Sequence, residues 1–153
     1  MKDIVFLGGK EVGCGCLDFL LENSESLGVR VIAALSNDRK IYSSNLPSVS
    51  EICREAGIPV MNSLDELLKI NDFDILVSVQ YHLILKKRHI QKAKQIAVNL
   101  HMAPLPEYRG CNQFSFAIID NAKEFGTTMH RLEEKIDGGD ILFEKRFAIP
   151  GNC

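Results

Sequence analysis

Phe73-Asp74-Ile75-Leu76-Val77-Ser78-Val79 is too apolar for a strand with one wet face. It predicts a strand in the middle of a sheet, covered on both sides. Working outward, Ile96 to Leu100 has the same character. Upstream, Ile4-Val5-Phe6-Leu7 ends in Gly8-Gly9, and Val29 to Leu35 ends at Ser36-Asn37-Asp38, where turn residues take over. Between these last two strands a helical pattern runs through Leu17, Leu20 and Leu21. The N-terminal unit therefore reads strand, helix, strand.

Asn37 to Pro47 is polar and predicts a surface loop before a helix containing Ile52 and Ala56. After the short Ile58-Pro59-Val60 run, Ser63-Leu64-Asp65-Glu66 has the spacing of a capping box, in which each side chain satisfies a backbone donor at a helix start. A helix from Leu64 to Ile70 is expected. Lys86 to Lys94 predicts a basic amphipathic helix, and Gln113 to Ile119 a helix facing the core with Phe114, Ala117 and Ile118. Thr127 to Leu132 and Ile141 to Ile149 alternate and predict two strands joined around Asp137-Gly138-Gly139-Asp140. Strands alternating with helices imply an α/β, Rossmann-like architecture: a mainly parallel twisted sheet with helices on both faces.

A chain of 153 residues is one domain on the usual length prior and needs no disulfide or metal to hold it. Eighteen Lys and Arg against 20 Asp and Glu give a net charge of −2, which argues against binding nucleic acid through a general positive field. No apolar run approaches the roughly 18 residues of a membrane span, and the N-terminus reads as a strand rather than a signal peptide. A cytoplasmic location is expected. The five cysteines, Cys14, Cys16, Cys53, Cys111 and Cys153, are odd in number and scattered, which suits reduced thiols. Cys14 and Cys16 lack a second pair at zinc-site spacing, so no metal is expected.

Gly8-Gly9, with Gly13 and Gly15, lies where the first strand meets the first helix, a place where backbone donors receive phosphates. The spacing is not G-x-G-x-x-G, and a tight turn needing glycine explains it equally well. A nicotinamide-dependent oxidoreductase would rest on the fold alone. Asn99-Leu100-His101 carries more information. Residues i and i+2 of a strand share a side, so Asn99 and His101 can converge at the C-terminal end of a parallel strand, where ligands of open α/β sheets bind. Asp137 follows in a glycine-rich turn. An amide, an imidazole and a carboxylate suit acyl transfer to an amine: the imidazole takes the amine proton, the carboxylate stabilises imidazolium, and the amide N–H binds the oxyanion. Each also has a plain reading, as a turn former, a strand-end histidine and an Asx turn.

Asn99-Leu100-His101, then Pro104-Leu105-Pro106-x-Tyr108-Arg109-Gly110, then Asp137-Gly138-Gly139-Asp140 resemble the catalytic domain of the folate-dependent formyltransferases, with further likeness at Phe6-Leu7-Gly8 and Tyr81-His82-Leu83-Ile84-Leu85. The resemblance implies Asn99, His101 and Asp137 as the catalytic trio and N10-formyltetrahydrofolate as formyl donor, with no metal. It places the pterin against Gln80, Tyr81, His82, Ile84 and Leu85 on one side and Glu133, Glu134, Lys135 and Ile136 on the other. It is most similar to the enzymes that formylate nucleotide-linked amino sugars. That implies acceptor contacts at Gly8, Gly9, Lys10, Arg109, Gly110 and Asn112, although Asn112 serves equally well as a helix cap. The initiator-tRNA enzyme and a truncated, non-catalytic folate-binding module are the alternatives. Residues 1–153 are read as the catalytic domain without the family's C-terminal part, where residues for the acceptor and for a homodimer would lie.

Overall fold

The computed structural model describes residues 1–37, 46–103, 120, 122–133 and 139–149. Among these residues six strands form one sheet: β1 (Lys2–Gly9), β2 (Val29–Asn37), β3 (Phe73–Val79), β4 (Ala93–His101), β5 (Glu124–Arg131) and β6 (Ile141–Ala148). Their order is β2-β1-β3-β4-β5-β6. The first four are parallel, and β5 and β6 add antiparallel to one edge. The expected mainly parallel α/β sheet is therefore present. Its helices are α1 (Lys10–Glu22), α2 (Ser24–Leu27), α3 (Val49–Ala56), a 3₁₀ helix (Leu64–Lys69) and α4 (Lys87–Ile90).

Two apolar layers explain why both sides of β1 are apolar from Ile4 to Leu7. Ile4 and Phe6 point toward Leu17 of α1 and Val49, Ile52 and Cys53 of α3. Val5 and Leu7 point the opposite way, toward Leu67 of the 3₁₀ helix, Leu76, Leu85 and Ala97. Phe6, Leu7, Leu17, Leu67 and Leu76 have no exposed surface. Burying each side chain of this size stabilises the fold by about 1.5–3 kcal/mol.

Two helix expectations need correction. Ser63 does not cap a helix with its side chain, and Leu64–Lys69 forms a 3₁₀ helix rather than an α-helix. The Glu66 carboxylate instead accepts from the backbone N–H of Asn62 at 2.7 Å. The capping box forms at Ser48 and Glu51, which open α3. The basic helix expected over Lys86 to Lys94 is a single turn, α4, and β4 has already begun at Ala93. The His89 side chain caps the start of that turn: its Nδ1 accepts from the Lys86 backbone N–H at 3.1 Å, and its Nε2 donates to Asp65 at 2.9 Å. Of the loop expected from Asn37 to Pro47, Asn37 is the last residue of β2 and residues 38–45 lie outside the described residues, as does the helix over Gln113 to Ile119.

The Asp65 carboxylate is held below the ordinary aspartate range by the hydrogen bond from His89 and then by Arg88. A carboxylate with a lowered folded-state pKa contributes stability above its unfolded pKa, and that stability is lost as pH falls through the folded value. Asp65→Asn should therefore lower Tm at neutral pH, with the gap from wild type closing below about pH 4. Thermal unfolding of both proteins between neutral and acid pH tests this. A gap that persists unchanged in acid contradicts it.

At the far edge, β6 leaves Ile141, Leu142, Phe143 and Phe147 between 43% and 62% exposed. Among the described residues no helix is long and apolar enough to cross a membrane. Cys14, Cys16 and Cys53 are thiols, while Cys111 and Cys153 lie outside the described residues.

Candidate active site

The chain enters β1, turns through α1 into β2 on one side, and returns as β3 on the other side of β1. In open α/β sheets a reversal of this kind is where ligands bind, in the crevice at the C-terminal ends of the strands. The register sets those ends side by side, pairing Gly8 with Val79 and Val79 with Leu100. Gly8, Gly9 and Lys10, then Gln80, then Asn99 and His101 therefore occupy one rim of the sheet.

The backbone on this rim is tightly held. A Cβ on Gly9 would come within 2.8 Å of the Asn37 side chain and 2.9 Å of its carbonyl oxygen, so this position takes glycine for want of space. Lys10 and Gln80 both have left-handed backbone conformations, with φ of 57° and 55°. Such angles cost an L-residue about 1–2 kcal/mol. They occur at the two points where the chain leaves the strands flanking the crevice, as is common where strain serves a site.

Beyond Gln80 the chain runs to Lys86 without helix or strand. Tyr81 is half-buried against the second apolar layer, and its ring meets that of His82 with centroids 5.2 Å apart. Burial pushes the Tyr81 phenol up from its ordinary pKa. Leu85 is buried in the same layer and anchors the segment, whereas Leu83 and Ile84 are 47% and 64% exposed. An exposed apolar pair on irregular backbone beside the crevice fits a flat heterocycle that needs both stacking surface and main-chain hydrogen bonds.

Asn99 and His101 sit two residues apart near the end of β4, as strand alternation requires. His101 is buried, and across the antiparallel pair it faces Thr128, whose hydroxyl donates to the Ala103 carbonyl at 2.8 Å. Asn99 faces His130, and Nδ2 of its amide lies 3.2 Å from Nε2 of that ring. The rings of His101 and His130 meet edge to face, with centroids 6.4 Å apart. The structure thus brings together an amide and two imidazoles. His130 was not foreseen, although it stands at i+2 from Thr128 in an alternating strand, which places it on the same side of β5.

Glu133 is exposed just past β5. Glu134, Lys135, Ile136 and Asp137 lie outside the described residues, as do Arg109, Gly110 and Asn112. On the other side of that gap, Gly139 packs against the Arg131 carbonyl so closely that a Cβ would overlap its oxygen. Arg131 N–H donates to the Asp140 carbonyl at 2.9 Å, closing the two ends of the β5–β6 connection. Among the described residues no group of three or more His, Cys, Asp or Glu could hold a metal ion.

Comparison with known proteins gives the same picture. The chain is 33% identical over 150 residues to the methionyl-tRNA formyltransferase of Protochlamydia amoebophila, a match covering 91% of this chain and 46% of that protein. Among solved structures it resembles WlaRD, a sugar 3N-formyl transferase determined with dTDP and 5-N-formyl-THF, at a TM-score of 0.75 and 28% identity, over 97% of this chain and 53% of that one. It also resembles an N-formyltransferase from Helicobacter canadensis in complex with folinic acid and dTDP-3-aminofucose, at a TM-score of 0.78 and 25% identity, over 97% and 54% of the two chains. The chain spans about half the length of the curated relatives it matches first. Residues 4–151 match the formyl transferase family model, and with the strand-end amide and imidazole in place the chain belongs to that family.

Proposed function

We propose that this chain is the donor-binding, catalytic part of an N-formyltransferase that moves a formyl group from N10-formyltetrahydrofolate to the primary amine of a nucleotide-linked amino sugar. The observation that carries this reading is the placement of Asn99 and His101 together at the end of β4, beside the crevice at the strand ends. The exposed Leu83 and Ile84 and the main chain from Gln80 to Leu85 suit the pterin. Gly9 and Lys10, at the mouth of the crevice, suit the nucleotide phosphates.

In this reading Asn99 donates to the formyl oxygen as the amine attacks the formyl carbon. His101 takes the proton released by the amine. The new C–N bond forms, the bond from the formyl carbon to N10 breaks, and N10 regains a proton. Asp137, carried over from the family motif, stabilises His101 in its charged form. The sugar acceptor is supported by the likeness, over 97% of the chain, to a sugar 3N-formyl transferase and to an N-formyltransferase solved with dTDP-3-aminofucose. The net charge of −2 also favours a small acceptor over tRNA, because phosphate-rich partners reward positive charge.

The 33% identity to a methionyl-tRNA formyltransferase favours a second reading, with the initiator tRNA as acceptor. Incubating the purified chain with N10-formyltetrahydrofolate and either dTDP-linked amino sugars or methionyl-tRNA, and weighing the products by mass spectrometry, separates the two. Formylated sugar nucleotide is the expected product. Formylated methionyl-tRNA, with binding that falls steeply with salt, reverses the ranking. Calorimetric binding of 5-formyltetrahydrofolate without turnover of either acceptor identifies a binding module.

A further inference from the structure

His130 lies opposite Asn99 on β5 and is 2% exposed, so its ring nitrogens are satisfied by protein groups. Nδ1 is 2.9 Å from the carbonyl oxygen of Arg131. A carbonyl only accepts, which puts the proton on Nδ1. Nε2 is 3.2 Å from the amide nitrogen of Asn99, which only donates, so Nε2 presents its lone pair. With the Asn99 carboxamide standing as it does, these two contacts suit an imidazole in the Nδ1–H tautomer, Nε2 accepting from the amide.

We propose that His130 is the positioning residue for Asn99, taking one Nδ2 hydrogen so that the other is held ready for the reacting carbonyl oxygen. The proposal rests on the reading of Asn99 as the oxyanion donor. A primary amide presents a donor and an acceptor of nearly identical shape, and a half-turn about its last bond exchanges them. Turned the wrong way, Asn99 would offer its oxygen to a developing negative charge and repel it. An acceptor fixed at Nε2 prevents the half-turn. The Arg131 carbonyl that fixes His130 is itself fixed. Gly139 packs against it, Arg131 N–H is bound to Asp140, and the next N–H along, that of Leu132, donates to Ala97 of β4 at 2.9 Å. The order of control runs from Gly139 to Arg131, to the tautomer of His130, to the orientation of Asn99.

The tautomer is tested first, on the wild-type chain and without any activity. Nitrogen-15 NMR of the histidine side chains at neutral pH should show His130 protonated at Nδ1 and bare at Nε2. A proton on Nε2 overturns the proposal. Kinetics with N10-formyltetrahydrofolate and the amino-sugar nucleotide tests it second. His130→Phe, which keeps the bulk and removes both polar atoms, should lower kcat by about 10²-fold, the cost of misplacing a catalytic group by about an ångström, with little change in either KM. His130→Gln, which restores an acceptor near the Nε2 position, should recover most of the rate. The Asn99→Ala/His130→Phe double variant should be no slower than Asn99→Ala alone, because the phenyl ring keeps the edge-to-face contact with His101 and the rest of the effect runs through Asn99.

Effects that add, or a Gln variant no faster than Phe, overturn the proposal while leaving Asn99 in its role. An Asn99→Ala enzyme that runs at the wild-type rate overturns the oxyanion reading itself, and the positioning role with it. If neither acceptor is turned over, the NMR measurement decides alone.

Discussion

His101→Ala should fold normally and transfer formyl groups about 10²–10⁴-fold more slowly than wild type, the range for losing a positioned acid–base group. Folding survives because His101 is the last residue of β4 and its ladder partners are backbone groups that alanine keeps. What disappears is a buried imidazole at the mouth of the crevice, with no other group on β4 able to take a proton there. Asn99→Ala should cost about 10²–10³-fold, the range for one oxyanion donor. The ordering follows from chemistry. An amine must lose a proton for the acyl bond to form, whereas an oxyanion with one donor missing is still partly stabilised by its surroundings. Circular dichroism and single-turnover rates on the purified variants check both statements. Unchanged turnover in either one removes that residue from the mechanism.

Gly139→Ala should be the most damaging single methyl that can be added to the described part of the site. The new Cβ would overlap the Arg131 carbonyl oxygen and stand 2.7 Å from its carbon, so backbone has to move. Arg131 cannot yield easily. It pairs with Val98 on β4, its N–H is bound to Asp140, and Leu132 is bound to Ala97. Overpacking of this kind costs about 1–3 kcal/mol. Gly139 has no left-handed φ, so the cost is one of space and not of backbone conformation. Displacing the Arg131 carbonyl also disturbs His130, so activity should fall further than stability alone explains. Denaturant unfolding and kcat on the same preparation test this. A variant as stable and active as wild type would mean that the connection between β5 and β6 gives way freely.

How much could be read beforehand depended on whether neighbours in sequence or neighbours in space decide the outcome. β1, β2, β3 and β4 were legible because each carries a mainly apolar run, unbroken from Ile4 to Leu7 and interrupted only singly by Arg30, Asp74, Ser78 and Asn99 in the others. The strand-end position of Asn99 and His101 followed from a period of two. Ser63 misled because the spacing S-x-x-E names two side chains but not which backbone donor the glutamate will take, and Glu66 takes that of Asn62. Lys86 to Lys94 misled because the pattern does not show where the chain passes into β4, a point fixed by pairing of Ala93 with Phe73 of β3. His130 was invisible for the same reason. Its importance comes from the antiparallel register of β5 on β4, which sets it against Asn99, 31 positions away.

Among the described residues β6 ends the sheet, and an outer row of N–H and C=O groups of this kind can pair with an extended segment, the step from which fibrils grow. Ile141, Phe143 and Phe147 share one side of this strand, and the charge between the two phenylalanines is Lys145. On the reverse side, Arg146 is ion-paired to Glu144. A charge set within an otherwise apolar edge row is one of the features by which sheet edges resist such pairing, and Lys145 holds that place here.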